Sequence, residues 1–400
     1  MRAILWRTGF GVTFLAAAAL LPAQAADYFP AKDNWTVHTP AQEGLDADKL
    51  KAAIDYAIAS ETMAPAGLAG KADLRDLRLT VPLKYAGEAF STPVGPLKAR
   101  APANGIIIRH GYIVAEWGRT QDVDMTFSVS KTFLSSVAGV AFDKGMFKVT
   151  NRVLDDVHPS AEFPDFLLPH NAPITWDNML RQDSGWIGTL WGKPWWADRP
   201  EPGKPWSELA KGPPPVGTQW KYNDVRVNAL ALELTWLWKR PLPEVLKQYI
   251  ADPIGMSDSW HWEGYDNSVT TIDGKPVKVV SGGGHWGGGM FISARDQGRL
   301  GLLGLNRGKW DGRTILSDAW VTMATTPTGP NPGYGFCNWY LNTGRRMYPA
   351  ARADSVAFIG DGANVIFVDY EHDMVAVVRW IDSPKMKEFV RLLIAAVQKN

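Results

Sequence analysis

A single cysteine, Cys337, stands in 400 residues, which leaves no internal disulfide and no cysteine-based zinc or iron–sulfur site. An excess of one charge is also missing. Lys+Arg is 42 against Asp+Glu 41, a formal net charge of +1, so nothing is in surplus to grip a nucleic-acid backbone. The apolar run from Thr8 to Leu21 is too short, and too interrupted by Gly9 and Gly11, to span a bilayer comfortably. The seven histidines are scattered, with no H-E-x-x-H and no tight pair, so no metal site is expected. There is no P-loop, no serine in G-x-S-x-G, no internal repeat and no low-complexity segment. Gly282 to Gly287 matches G-x-G-x-x-G in form, but it lies deep in the chain without a βαβ pattern. It reads as a glycine-rich wall, not a dinucleotide cradle. No cofactor is expected.

What is present is ordinary for a globular protein: 46% hydrophobic and 21% charged residues. The length suggests two domains or one large domain carrying an insertion. Nineteen tryptophans can either line an apolar cleft or fill a core. Arg2 and Arg7, the apolar run, Pro22 and then Ala23-Gln24-Ala25 have the layout of an export signal, with cleavage expected after Ala25. Residues 1–25 are therefore expected to be removed and the mature chain to be periplasmic or secreted, with no stable membrane insertion.

Periodicity places a helix over Gly44 to Ser60, and 61–103 reads as irregular. Two strands flank the His110-Gly111 turn, and Ser128 to Asp143 has helical spacing. Thr175 is a plausible N-cap. Residues 185–220 form a long Gly/Pro/Trp loop region, followed by helices near 224–239 and 243–252 and one capped by Ser293. Strands at 356–360, 365–369 and 374–380 precede a terminal helix, 385–398. The pattern is α/β (α+β): residues 26–150 and 288–400 build one sheet-containing domain from both ends of the chain, and 151–287 form a mostly helical inserted domain.

Ser128-Val129-Ser130-Lys131 is the chain's one S-x-x-K. Three residues apart on a helix puts both side chains on one face, so the Lys131 amine can approach the Ser128 hydroxyl. A serine must lose its proton to attack a carbonyl, and a desolvated lysine can take it. The helix N-terminus adds a positive field where negative charge develops. A second piece, Tyr222-Asn223-Asp224, follows Pro215-Val216-Gly217-Thr218-Gln219-Trp220-Lys221.

With these motifs the sequence resembles the penicillin-recognising serine hydrolases, nearest the class C β-lactamase and family VIII esterase branch, and is similar in kind to the 6-aminohexanoate-dimer hydrolases. The likeness extends over Ile174–Leu180 with Ser184-Gly185, Pro253–Met256, Gly287–Asp296 and Tyr334–Phe336. It implies a β-lactamase/transpeptidase-like antiparallel sheet flanked by helices, an acyl-serine on Ser128, and proton transfer through Lys131 and Tyr222. It also implies an oxyanion site made by the backbone N–H groups of Ser128 and Asp361.

Two departures bear on substrate. The tyrosine motif ends in Asp224 where Asn is commoner. The third family motif falls at Phe358-Ile359-Gly360, with Phe358 where Lys or His is expected, which removes a charge-assisted hold on a substrate carboxylate. A small ester or amide without an obligatory carboxylate is therefore expected, not a β-lactam. The competing expectation is a penicillin-binding or sensor-like protein with little turnover, or a D,D-peptidase or β-lactamase. Asp224, His285, Phe358, Gly360 and Trp186 are candidates for lining the substrate pocket. Cys337 reads as an apolar filler.

Overall fold

Val-, Ile- and Phe-rich runs without polar alternation mark strands covered on both faces. Five such strands, Asn104–Arg109, Tyr112–Trp117, Val356–Gly360, Asn364–Asp369 and Met374–Arg379, join the short Tyr340–Leu341 in one antiparallel sheet. The computed structural model describes residues 28–62, 75–200 and 204–398, and the expected export segment lies outside them. The strand order is 340–341, 356–360, 364–369, 374–379, 104–109, 112–117, so the chain's last strand pairs with its first and closes the sheet from both ends.

The pleat sorts the side chains into two cores. Ile106, Ile108, Phe358, Ile366, Val368, Val375 and Val377 face the helix Ala294–Leu305. Ile107, Val114, Ala357, Val365, Phe367, Ala376 and Val378 face the helices Ala47–Ala59 and Met386–Ala395. Gly298, Gly301 and Gly304 form one stripe of the Ala294–Leu305 helix. A Cβ on Gly301 would come within 2.5 Å of Val375 and 2.7 Å of Ile366, so glycine is what lets this helix lie so close to the sheet.

The helix Ser130–Asp143 is buried all round from Ser130 to Ala141, as befits the centre of the molecule. It packs against Asp224–Trp238 and Leu242–Leu246, both from the 151–287 segment. That segment also holds the helix Trp176–Arg181, which starts with a reciprocal Thr175–Asn178 capping box. His261–Glu263 joins Asp124–Met125 and Gly289–Ile292 in a three-stranded sheet. The 61–103 reading needs correction: Leu77–Lys84 is a helix capped by Asp76, with Pro82 inside it. Its proline, and its four apolar residues spread over eight, hide the period. The tryptophans serve mainly as core, Trp176, Trp186, Trp286, Trp320 and Trp380 all being fully buried.

Candidate active site

The Ser128 segment is fixed before its helix begins. Arg379, fully buried, donates to Met125 O at 2.9 Å and Ile292 O at 2.7 Å, tying the central sheet to the strands that lead to Ser128. Phe127 follows with φ at 49°, a left-handed conformation that costs a bulky side chain about 1–3 kcal/mol. Its ring is locked in the core against Trp380. The Ser130 hydroxyl accepts from Met290 N–H at 2.7 Å. Ser128 is thus presented at the mouth of a buried helix by a chain that has no freedom to move away.

Lys131 lies one turn on, fully buried, with Nζ 2.9 Å from Ser128 Oγ and 2.6 Å from Asp224 Oδ1. Nζ also sits 4.5 Å from the centroid of the Tyr222 ring. The Ser128 and Tyr340 hydroxyls both act on the Tyr222 phenol and favour its ionised form. Burial, and then the Asp224 charge, raise the Tyr222 phenol well above its usual range. The Tyr222 segment is held by Gln182, whose Oε1 accepts from Asn223 N–H at 2.9 Å and whose carbonyl accepts from Lys221 N–H. Asn223 caps the Asp224–Trp238 helix.

Gly360 closes the other side. A Cβ there would fall 2.0 Å from Thr126 O and 3.3 Å from Ser128 N, so the strand end meets the nucleophile loop only because the residue is glycine. Asp361 follows it, and its carboxylate accepts from Tyr85 Oη at 3.0 Å and from Lys84.

Four pocket candidates prove to be buried elsewhere. Asp224 does not line the cleft; it is the counter-ion of Lys131. Burial alone would raise its carboxyl, but the charges of Lys131, Arg199 and His285 outweigh this and hold it well below the usual carboxylate range. His285 is buried too. Its backbone N–H donates to Asp224 Oδ2 at 2.9 Å, its Nε2 meets Glu88 at 2.7 Å, and its ring packs at a tilt against Tyr85. Trp186 packs on Phe166. Phe358 points into the core against Trp339 and the Cα side of Gly304, not into the cleft. A lysine in that setting would be a buried charge with no acid beside it.

Sequence reasoning missed a cation and three carboxylate-bearing or phenolic partners. Arg199, about a third exposed, lies over the Tyr222 ring at 4.9 Å and pairs with Asp198 at 2.6 Å. Asp198 in turn accepts from Asp224 N–H and lies 3.5 Å from His285 Nδ1. Glu88 and Tyr85 complete this shell. The donor atoms of Glu88, Asp198 and His285 come within 4.8 Å of one another. A metal ion fits them poorly, because Asp198 already holds Arg199 and the Asp224 N–H, and Glu88 holds His285. Burial pushes the Cys337 thiol up to about 12, as suits a filler and not a nucleophile.

The β-lactamase family profile matches residues 106–397. The chain belongs to the β-lactamase family. It is a serine hydrolase of that family, with the β-lactamase/transpeptidase fold. Among solved structures it is similar to a family VIII carboxylesterase, at 16% identity over 88% of this chain and 98% of that one, with a TM-score of 0.55. It is similar to a penicillin-binding protein homologue from Caulobacter crescentus, at 16% identity over 89% and 99%, TM-score 0.54. It is also similar to a hydrolase with promiscuous acyltransferase activity, at 15% identity over 80% and 97%, TM-score 0.51. No curated protein sequence matches significantly.

Proposed function

We propose that this enzyme hydrolyses an ester or amide through an acyl-Ser128 intermediate. The observation that carries the reading is the buried contact of Ser128 Oγ with Lys131 Nζ at 2.9 Å, with the Tyr222 ring centroid 4.5 Å from the same Nζ. Ser128 attacks the carbonyl while Lys131, with Tyr222, takes its proton. Tyr222 then passes a proton to the leaving group, and the same pair activates water for deacylation. Asp224, 2.6 Å from Nζ, compensates the charge that forms on Lys131. The backbone N–H groups of Ser128 and Asp361 serve as the oxyanion site, in keeping with the closeness of Gly360 to Ser128.

A substrate with no carboxylate beside the reacting carbonyl is favoured by the charges next to the serine. Arg199 and Lys131 face Asp224 and Asp198, so even with Lys131 charged no positive charge is left over at that point for a β-lactam carboxylate. p-Nitrophenyl acetate or butyrate should therefore turn over continuously, with kcat/KM far above that for a chromogenic cephalosporin. A single-turnover burst without steady state would point instead to a penicillin-binding or sensor-like protein, and efficient cephalosporin hydrolysis to a β-lactamase.

Export belongs to the same proposal. The mature protein is expected in the periplasmic or extracellular fraction with Ala26 as its first residue. Recovery in the cytoplasm with residues 1–25 still attached would count against it.

A further inference from the structure

A buried arginine beside the site has almost nothing to bind. Arg226, in the first turn of Asp224–Trp238, is 3% exposed. Of its five side-chain donors, Nε reaches Trp186 O at 3.2 Å, while Nη1 is buried without a hydrogen-bond partner. Among the described residues no carboxylate pairs with it. Asp198, the acid whose charge it feels, is committed to Arg199 and to Asp224 N–H. Its guanidinium packs on the Trp195 ring, 5.4 Å from the centroid. A guanidinium in this state is expensive unless an anion completes it.

Room for that anion adjoins it. Arg226 lines a cavity of about 370 Å3 together with Trp195, Trp196, Lys211, Gln219 and Asn223. That size lies within the small-molecule range, roughly 300–1,000 Å3. The helix N-terminus at Asn223 adds positive potential. The cationic fork matches a carboxylate, and the two indoles suit a flat apolar body. Asn223 links the cavity to the reaction centre: it is the residue between Tyr222 and Asp224, and its Nδ2 donates to Trp195 O at 2.7 Å.

We propose that this cavity is a binding site for a monocarboxylate with an apolar body, anchored by Arg226. The carboxylate belongs either to a remote end of the substrate or to a separate acid that occupies the site during turnover. The first source rests on the hydrolase reading above; the second does not.

The probe is 4-phenylbutanoate, compared with 4-phenylbutanamide at constant ionic strength, on the full chain carrying Ser128→Ala. Thermal midpoints should rise with carboxylate concentration and not with amide or chloride. Arg226→Met should weaken the effect by roughly ten- to a hundredfold in concentration, while losing little or no stability in the absence of ligand. Should Arg226→Met not fold, the exposed wall variant Lys211→Glu carries the test with a smaller shift in the same direction. No carboxylate-specific rise in wild type, or an equal rise in both variants, overturns the proposal. In chains that retain Ser128, competitive inhibition of ester hydrolysis by 4-phenylbutanoate, with a loss of preference for an ω-carboxy ester over its methyl ester in Arg226→Met, assigns the carboxylate to the substrate. A thermal shift without competition assigns it to a separate acid. A protein with the thermal shift but no hydrolysis would refute the hydrolase reading and leave this site standing.

Discussion

Ser128→Ala is expected to lower kcat for a p-nitrophenyl ester by roughly ten-thousand- to a million-fold, the scale seen when a nucleophile is removed from a unit that acts together. The loss should appear in kcat and not in KM, because the bond that Ser128 makes exists only after the substrate has bound. Labelling by a fluorophosphonate, read by intact mass, should vanish with it. Cys337 cannot replace the nucleophile: it is buried, and its thiol is pushed up to about 12. The fold should survive, since the hydroxyl is a short polar group that accepts from Lys131. The ammonium would keep its Asp224 contact. Retention of the wild-type label in Ser128→Ala would place the nucleophile elsewhere and remove the basis of the mechanism.

That Ser128, Lys131 and Tyr222 would come together was legible because they belong to local patterns. S-x-x-K needs only helical geometry to bring Ser128 and Lys131 together, and an apolar continuation to bury them. The shell around them was not legible, for a different reason. Asp198 and Arg199 lie in a Gly/Pro/Trp-rich loop with no period, so nothing in the sequence says which way they turn. Tyr85 and Glu88 follow a helix whose proline and weak apolar stripe hide it. Phe358 failed on register. In a strand covered on both faces, every residue from Val356 to Phe358 is apolar and buried, so alternation cannot tell which one faces the cleft. Asp224 was read as lining the substrate pocket; its place against Lys131 could not be read from the sequence, because a carboxylate's partner is a tertiary fact.

That partner decides the second large effect. Lys131→Ala removes a proton carrier and, at the same stroke, leaves Asp224 buried without the cation 2.6 Å away. Breaking such a pair from one side costs about 3–5 kcal/mol, so urea denaturation should show a large drop in stability alongside the loss of turnover. Adding Asp224→Asn should restore much of the stability and none of the activity, which separates the structural part of the effect from the chemical part. Tyr222→Phe, which leaves the ring but removes the hydroxyl proposed to relay the proton, should lower kcat by roughly a hundred- to ten-thousandfold with little change in stability. If Lys131 and Tyr222 move one proton as a unit, the Lys131→Ala, Tyr222→Phe double variant will be hardly slower than the slower single; losses that multiply would mean separate roles. Lys131→Arg should also be inactive, because a guanidinium does not give up its proton in this range. Asp224 sets the pH behaviour of the same unit. Its folded carboxyl is held below its unfolded value, so the stability it contributes is present above about pH 4 and is lost as pH falls further. In Asp224→Asn that acid-side loss should be absent, so the stability of the variant should vary less than wild type as pH falls below about 4. An acid-side loss equal to that of wild type would show that the Asp224 charge is not what steadies this part of the fold.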